Sequence, residues 1–196
     1  MPLPPDEIQH RSLDRLARYI KEAEEILASW DAYSGEHTDA DGWPHDPTAY
    51  DTRQRRRDAD TWRAFTRIRS TAASYLLTAD RQLRQLPGTA AAPHWAWQLK
   101  ELRTSLDAIH TLQAEWPATL NTPPEPALPG TEAWAETQAE RNAEAWHHLY
   151  TWAGHGHAVL DIHTATQHHR PRAVPITTAV ATTPVPRPAP ISRRPL

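Results

Sequence analysis

The sequence predicts an all-α protein: an up-and-down four-helix bundle over residues 5–169, with a long first loop and a disordered Pro/Arg-rich C-terminal tail over 170–196. Three observations carry that prediction. Apolar residues recur at alternating threes and fours through four separate stretches, which gathers them on one face of a 3.6-residue helix. Proline, glycine and small polar residues gather between the stretches, where they turn the chain. From Arg170 the periodicity stops, and the remaining chain holds seven prolines, five arginines and no acidic residue.

The first helix opens near Pro4–Glu7, where proline suits an opening turn and acids suit the positive end of the dipole. Its stripe is Leu13, Leu16, Ile20, Ala23, Leu27 and Trp30, and it ends near Tyr33–Gly35. Residues 34–47 break all periodicity and form a connection long enough to suggest a functional or disordered loop. The second helix starts near Asp46–Thr48, with Thr48 and Asp51 spaced as an N-cap pair or with Pro47 as the first helical position. It reads as one rod through Leu86, about 57 Å long at 1.5 Å per residue. Trp62, Phe65, Ile68, Ala72, Leu76, Ala79, Leu83 and Leu86 face inward, and Arg53, Arg56, Arg57, Arg63, Arg67 and Arg81 fall in the opposite sector.

Pro87 and Gly88 stop that rod. A third helix spans about Pro93–Trp116 with Trp95, Leu99, Leu102, Leu106, Ile109, Leu112 and Trp116 on one face, and Pro117 ends it. Residues 117–130 carry five prolines and read as an extended connector. The fourth helix follows a Thr131 cap along Ala135, Gln138, Asn142, Ala145, Leu149 and Trp152. Gln138 and Asn142 are candidates for setting helix register. Gly154 and Gly156 interrupt this helix, which resumes over Val159–His169 after a kink or break.

Composition narrows the chemistry. With no cysteine, disulfides, thiolate metal sites and cysteine nucleophiles are all excluded. Six glycines occur, none in a phosphate-cradling loop motif. No basic-then-apolar leader or membrane-length apolar run is present, so the expectation is a cytoplasmic protein with no membrane partner. Leu, Ile, Val and Phe make up only 30 of 196 residues, so alanine and nine tryptophans must supply much of the core. Charge is segregated: residues 1–48 sum to −7, residues 49–86 to +5 and the tail to +5.

Two candidate sites follow. Arg53, Arg56, Arg57, Arg63 and Arg67 form a cationic stripe able to attract phosphate backbones or to pair internally with Glu22–Glu25 or the acidic loop. His37, Asp39, Asp41 and His45 place imidazoles and hard oxygen ligands within one short loop, a candidate cation site that lacks the remaining positions of a calcium loop. Trp43, Trp97 and Trp146 fall off the main stripes and are candidates for a partner surface. Seven of the twelve histidines lie between His147 and His169, yet the helical zinc spacing H-x-x-x-H is absent. Glu7–His10 and Glu144–His147 match the di-iron E-x-x-H unit, but the stretch from Thr48 to Leu86 contains no glutamate to complete such a site. No cofactor or resident metal is assigned.

These features favour a non-enzymatic interaction or accessory protein, binding another protein through exposed helix faces, the 34–47 loop and the tail. A nucleic-acid-associated regulator using the arginine face is the first alternative. A metal-dependent bundle enzyme using histidines is the second.

Overall fold

The computed structural model describes residues 4–86, 88–121 and 127–169. These residues are all-helical and contain no strand, only an isolated bridge between Thr38 and Pro44. Six helices follow in order: α1 Pro5–His37, α2 Pro47–Thr66, α3 Arg69–Gln85, α4 Ala92–Leu120, α5 Glu132–His155 and α6 His157–His169. The expected disordered tail, residues 170–196, lies outside the described residues.

Local chemistry explains most boundaries. The Asp46 carboxylate accepts from the backbone N–H groups of Thr48 and Ala49 at 3.0 and 3.1 Å, with Pro47 at the first helical position. The cap of α2 is therefore Asp46 and not Thr48. Thr131 caps α5 as its sequence position predicts, its hydroxyl accepting from Trp134 N–H at 3.2 Å. The N-terminal part of the expected first loop, residues 34–37, is helical: α1 runs on to His37, seven residues past Trp30.

Three expectations are corrected. The single rod from Thr48 to Leu86 is two helices, broken at Arg67–Ile68 with no glycine or proline at the joint. Threonine hydroxyls bond back to the backbone carbonyls of Arg57, Trp62 and Ile68, a pattern that bends helices. The last turn of α2 then tightens: Arg67 N–H reaches Ala64 O and Ile68 N–H reaches Phe65 O. The joint also lets Ile68 bury completely. Second, Pro117 does not end α4, which runs on to Leu120. Proline removes only one ladder bond there, close to the C-terminus, and its own carbonyl accepts from the Asn121 side chain at 2.7 Å. Third, the helix count is six among the described residues where four were expected: the kink or break expected near Gly154–Gly156 is a break, at Gly156, and it adds to the α2–α3 joint.

Gly156 is needed for close approach. A Cβ there would lie 3.1 Å from two Ile20 side-chain carbons and 2.7 Å from Trp152 O. The Trp152 carbonyl of α5 leaves least room for a side chain at this joint, and α1 packs against it through Ile20.

One apolar cluster draws on all six helices, including Leu16 and Ile20, Phe65, Leu76, Leu102 and Ile109, Leu149 and Trp152, and Ile162. Trp152 is fully buried and meets Phe65 edge-on at 5.4 Å, and Phe65 meets Tyr19 edge-on at 5.6 Å. Around this core α5 packs on α4 and α2, α1 lies along α2, and α3 bridges α4 and α6. No described helix is long and apolar enough to cross a membrane.

Candidate functional site: an arginine groove between α1 and α2

Side chains of the arginine stripe meet α1 along one groove. Arg53, Arg56, Arg57 and Arg63 line it from α2, and Glu22, Glu25, Ile26, Ser29 and Trp30 line it from α1. The groove encloses about 430 Å³. Arg67 stands beyond this lining, where it pairs with Glu22.

The arginines are held differently. Arg56 and Arg63 share Asp60, at 3.7 and 2.6 Å, and both side chains remain largely exposed. Arg53 has no carboxylate partner among the described residues. It donates to Ser29 Oγ at 2.9 Å and lies over the Tyr33 ring at 5.5 Å. Arg57 is nearly buried, its guanidinium 3.5 Å from the Trp146 ring centre and 4.3 Å from that of Trp30. Its Nε and Nη2 both donate to Asp58 Oδ1, at 2.8 and 2.7 Å. Trp146, one of the off-stripe tryptophans, thus closes an aromatic seat for a groove arginine. The other two, Trp43 and Trp97, are exposed.

Burial pushes the Asp58 carboxyl above its ordinary value, opposed by the hydrogen bond and charge of Arg57. The buried pair therefore fixes the geometry of the groove wall and adds little net attraction, because desolvation offsets most of the Coulomb gain.

At its α1 C-terminal end the groove meets an aromatic cluster. Trp30 meets Tyr50 edge-on at 5.0 Å, and Tyr33 lies 6.1 Å from Tyr50. The Ser34 and Tyr50 hydroxyls are 2.8 Å apart. These contacts tie α1 to the start of α2 and hold the intervening loop short.

The loop candidates occupy a small backbone-held turn. Asp39 N–H donates to Trp43 O, and His45 N–H donates to His37 O, both at 2.9 Å. Asp39 Oδ1 accepts from the N–H groups of Asp41 and Trp43. Gly42 sits at φ +85°, the left-handed conformation this turn requires. The His37 ring stacks on Tyr33 at 4.0 Å, with Nδ1 at 2.9 Å from Tyr33 O. Asp41 and His45 are exposed. Among the described residues no group of three or more His, Asp or Glu side chains is placed to hold a metal ion. The Trp43 side chain does not pin the loop: it is 73 % exposed, and backbone hydrogen bonds hold the turn.

The C-terminal histidines disperse. His157 pairs with Glu24 at 2.9 Å, His155 meets Trp97, and His163 lies between the side-chain amides of Gln9 and Gln82.

No known protein family, curated protein or solved structure matches the chain.

One cluster escaped the reading of the apolar stripes. Arg141 of α5 is 7 % exposed, with its guanidinium 4.4 Å from the Trp62 ring centre and 4.2 Å from that of Trp116. Its Nη2 donates to Asn142 Oδ1 at 2.8 Å, while its Nε is buried with no hydrogen-bond partner among the described residues. Trp116, packed on Trp134 at 5.1 Å, likewise buries an unpartnered Nε1–H. Burial, and secondarily the charge of Arg69, pushes the Arg141 guanidinium below its ordinary value. The sequence held a signal for it. Arg141 is the one Lys or Arg between residues 131 and 169, and it sits four residues before Ala145 on the inward face.

Proposed function

We propose that this protein is a non-enzymatic interaction module that binds an acidic segment of a partner protein in the α1–α2 groove. The observation that carries the reading is the convergence of Arg53, Arg56 and Arg63 on one groove, with Arg53 free of any carboxylate among the described residues. Exposed guanidinium groups on a pre-formed wall suit bidentate recognition of carboxylates. The Arg57–Trp30–Trp146 seat keeps that wall rigid and reduces the entropy lost on binding. Glu22, Glu25 and Asp60 lie in the same groove; a peptide can space its acidic side chains to meet Arg53, Arg56 and Arg63 and avoid these carboxylates, whereas the uniform charge of a phosphate backbone cannot.

The test is fluorescence anisotropy with a short glutamate-rich peptide, set beside duplex DNA and single-stranded RNA at the same salt. The expected result is saturable peptide binding that weakens at least tenfold in the Arg53→Ala/Arg56→Ala/Arg63→Ala variant. Arg57 is spared because its removal would open the tryptophan seat. Tighter binding to DNA or RNA, lost in the same variant and falling by ~0.9 log units per phosphate contact for each tenfold rise in salt, would replace this reading with nucleic-acid recognition.

A further inference from the structure

A second arginine cluster lies where α2, α3, α4 and α5 meet, and neither of its charges has a carboxylate partner among the described residues. Arg141 is held between Trp62 of α2 and Trp116 of α4. Arg69, at the start of α3, donates from Nη1 to Gln113 Oε1 at 2.7 Å. Gln113 and Trp116 are three residues apart on α4, so they share one face of that helix. The break at Arg67–Ile68 starts α3 at this junction and brings Arg69 into it.

The hydrogen-bond account does not close. Each guanidinium carries five N–H donors and cannot lose its charge by deprotonation. Among the described residues, Arg141 and Arg69 each make one hydrogen bond, to the neutral amides Asn142 and Gln113. Neither has a carboxylate partner there. Arg141 Nε and Trp116 Nε1 are buried donors without acceptors. Tryptophan faces attract the cation but accept none of its in-plane N–H groups. A buried unpaired cation is costly, and a second, half-buried guanidinium at the same junction adds to that cost.

We propose that this junction is a binding site for a small oxyanion, a phosphate or a carboxylate, held between the Arg69 and Arg141 guanidinium groups beside Trp116. The ligand class follows from the donors: two planar N–H forks match the paired oxygens of an oxyanion, and the Trp62 and Trp116 faces orient that of Arg141. Arg69 and Trp116 are only half-buried and supply the open side of the site, whereas Arg141 supplies its floor. The site shares no residue with the α1–α2 groove, so it stands or falls independently of the proposed peptide binding.

The test is thermal unfolding of the full chain by circular dichroism, with inorganic phosphate and, separately, acetate titrated against chloride at constant ionic strength. The expected result is a saturable rise of about 3–6 °C once one anion exceeds its dissociation constant tenfold. Arg69→Met should remove the response, and Arg69→Lys should shift it to higher anion concentration. Arg69 is the residue to vary because it is half-buried, whereas Arg141 supports two tryptophans. A response to acetate alone assigns a carboxylate ligand, and a stronger response to phosphate assigns a phosphate. A linear, unsaturable rise with both anions, or a saturable rise unchanged in Arg69→Met, would overturn the proposal.

Discussion

Tyr19 shows how much one buried atom decides. Its ring belongs to the core, yet its hydroxyl is buried with no hydrogen-bond partner among the described residues, and burial pushes its ionisation far above the ordinary tyrosine value. An orphan buried hydroxyl costs stability that its removal restores. Tyr19→Phe is therefore expected to be neutral or to stabilise by up to ~1 kcal/mol in urea unfolding. A loss above that would reveal an acceptor for the hydroxyl. Asp58 poses the opposite problem, a buried carboxyl with a strong partner. Burial raises it more than Arg57 lowers it. A carboxyl with a higher pKa in the folded state binds more protons folded than unfolded. Its contribution is thus present below the unfolded value and is lost as pH rises through the folded one. The wild type is expected to gain stability relative to Asp58→Asn as pH falls from 7 towards 4, measured by urea unfolding at each pH. A gap that widens with rising pH would mean that the Arg57 pairing outweighs burial.

At the scale of elements, the joints between helices matter as much as the helices. Gly154 and Gly156 lie two residues apart and should respond oppositely to alanine. A Cβ at Gly154 meets nothing within 4 Å, so Gly154→Ala should stabilise by ~0.4–1 kcal/mol through the unfolded chain. A Cβ at Gly156 meets Ile20 and a backbone carbonyl, so Gly156→Ala should cost ~1–3 kcal/mol as overpacking. Melting temperatures of the two variants check both, and equal effects would mean α1 does not cross this joint closely. The α2–α3 joint was hidden in the sequence for a physical reason. Its apolar stripe is continuous from Trp62 to Leu86, and the bend comes from threonine back-bonding and the burial of Ile68, neither of which interrupts a periodicity. Pro117 misled in the other direction, since a proline near a helix C-terminus forfeits a single bond.

At the scale of the whole molecule, one contiguous core joins all six helices, although aliphatic residues are scarce. Its loss should therefore be cooperative. Leu102→Ala, at a fully buried position on α4, is expected to cost ~2–5 kcal/mol. Helix content and tryptophan fluorescence should lose their signals together in urea. Separate transitions for the two probes would mean the helices form more than one cooperative unit. The exposed ion pairs, Arg63–Asp60 and Arg67–Glu22 among them, contribute little by comparison.

The sequence by itself determined the helical class and most of the inward stripes. Each follows from the 3.6-residue period, which local spacing records. The sequence also located the Thr131 cap and the interruption near Gly156, because caps and glycine act within a turn. Only the tertiary structure decided which arginines share a groove, which one is seated between tryptophans, and which are left without a counter-charge. Arg57 and Arg56 are neighbours in the chain, yet one is nearly buried on Trp146 and the other is exposed. Arg69 and Arg141 are far apart in sequence and act on each other at a junction of four helices. Burial and pairing depend on which faces meet across the core. That is set by where helices break and cross, a long-range outcome that the periodicity of any one helix does not contain.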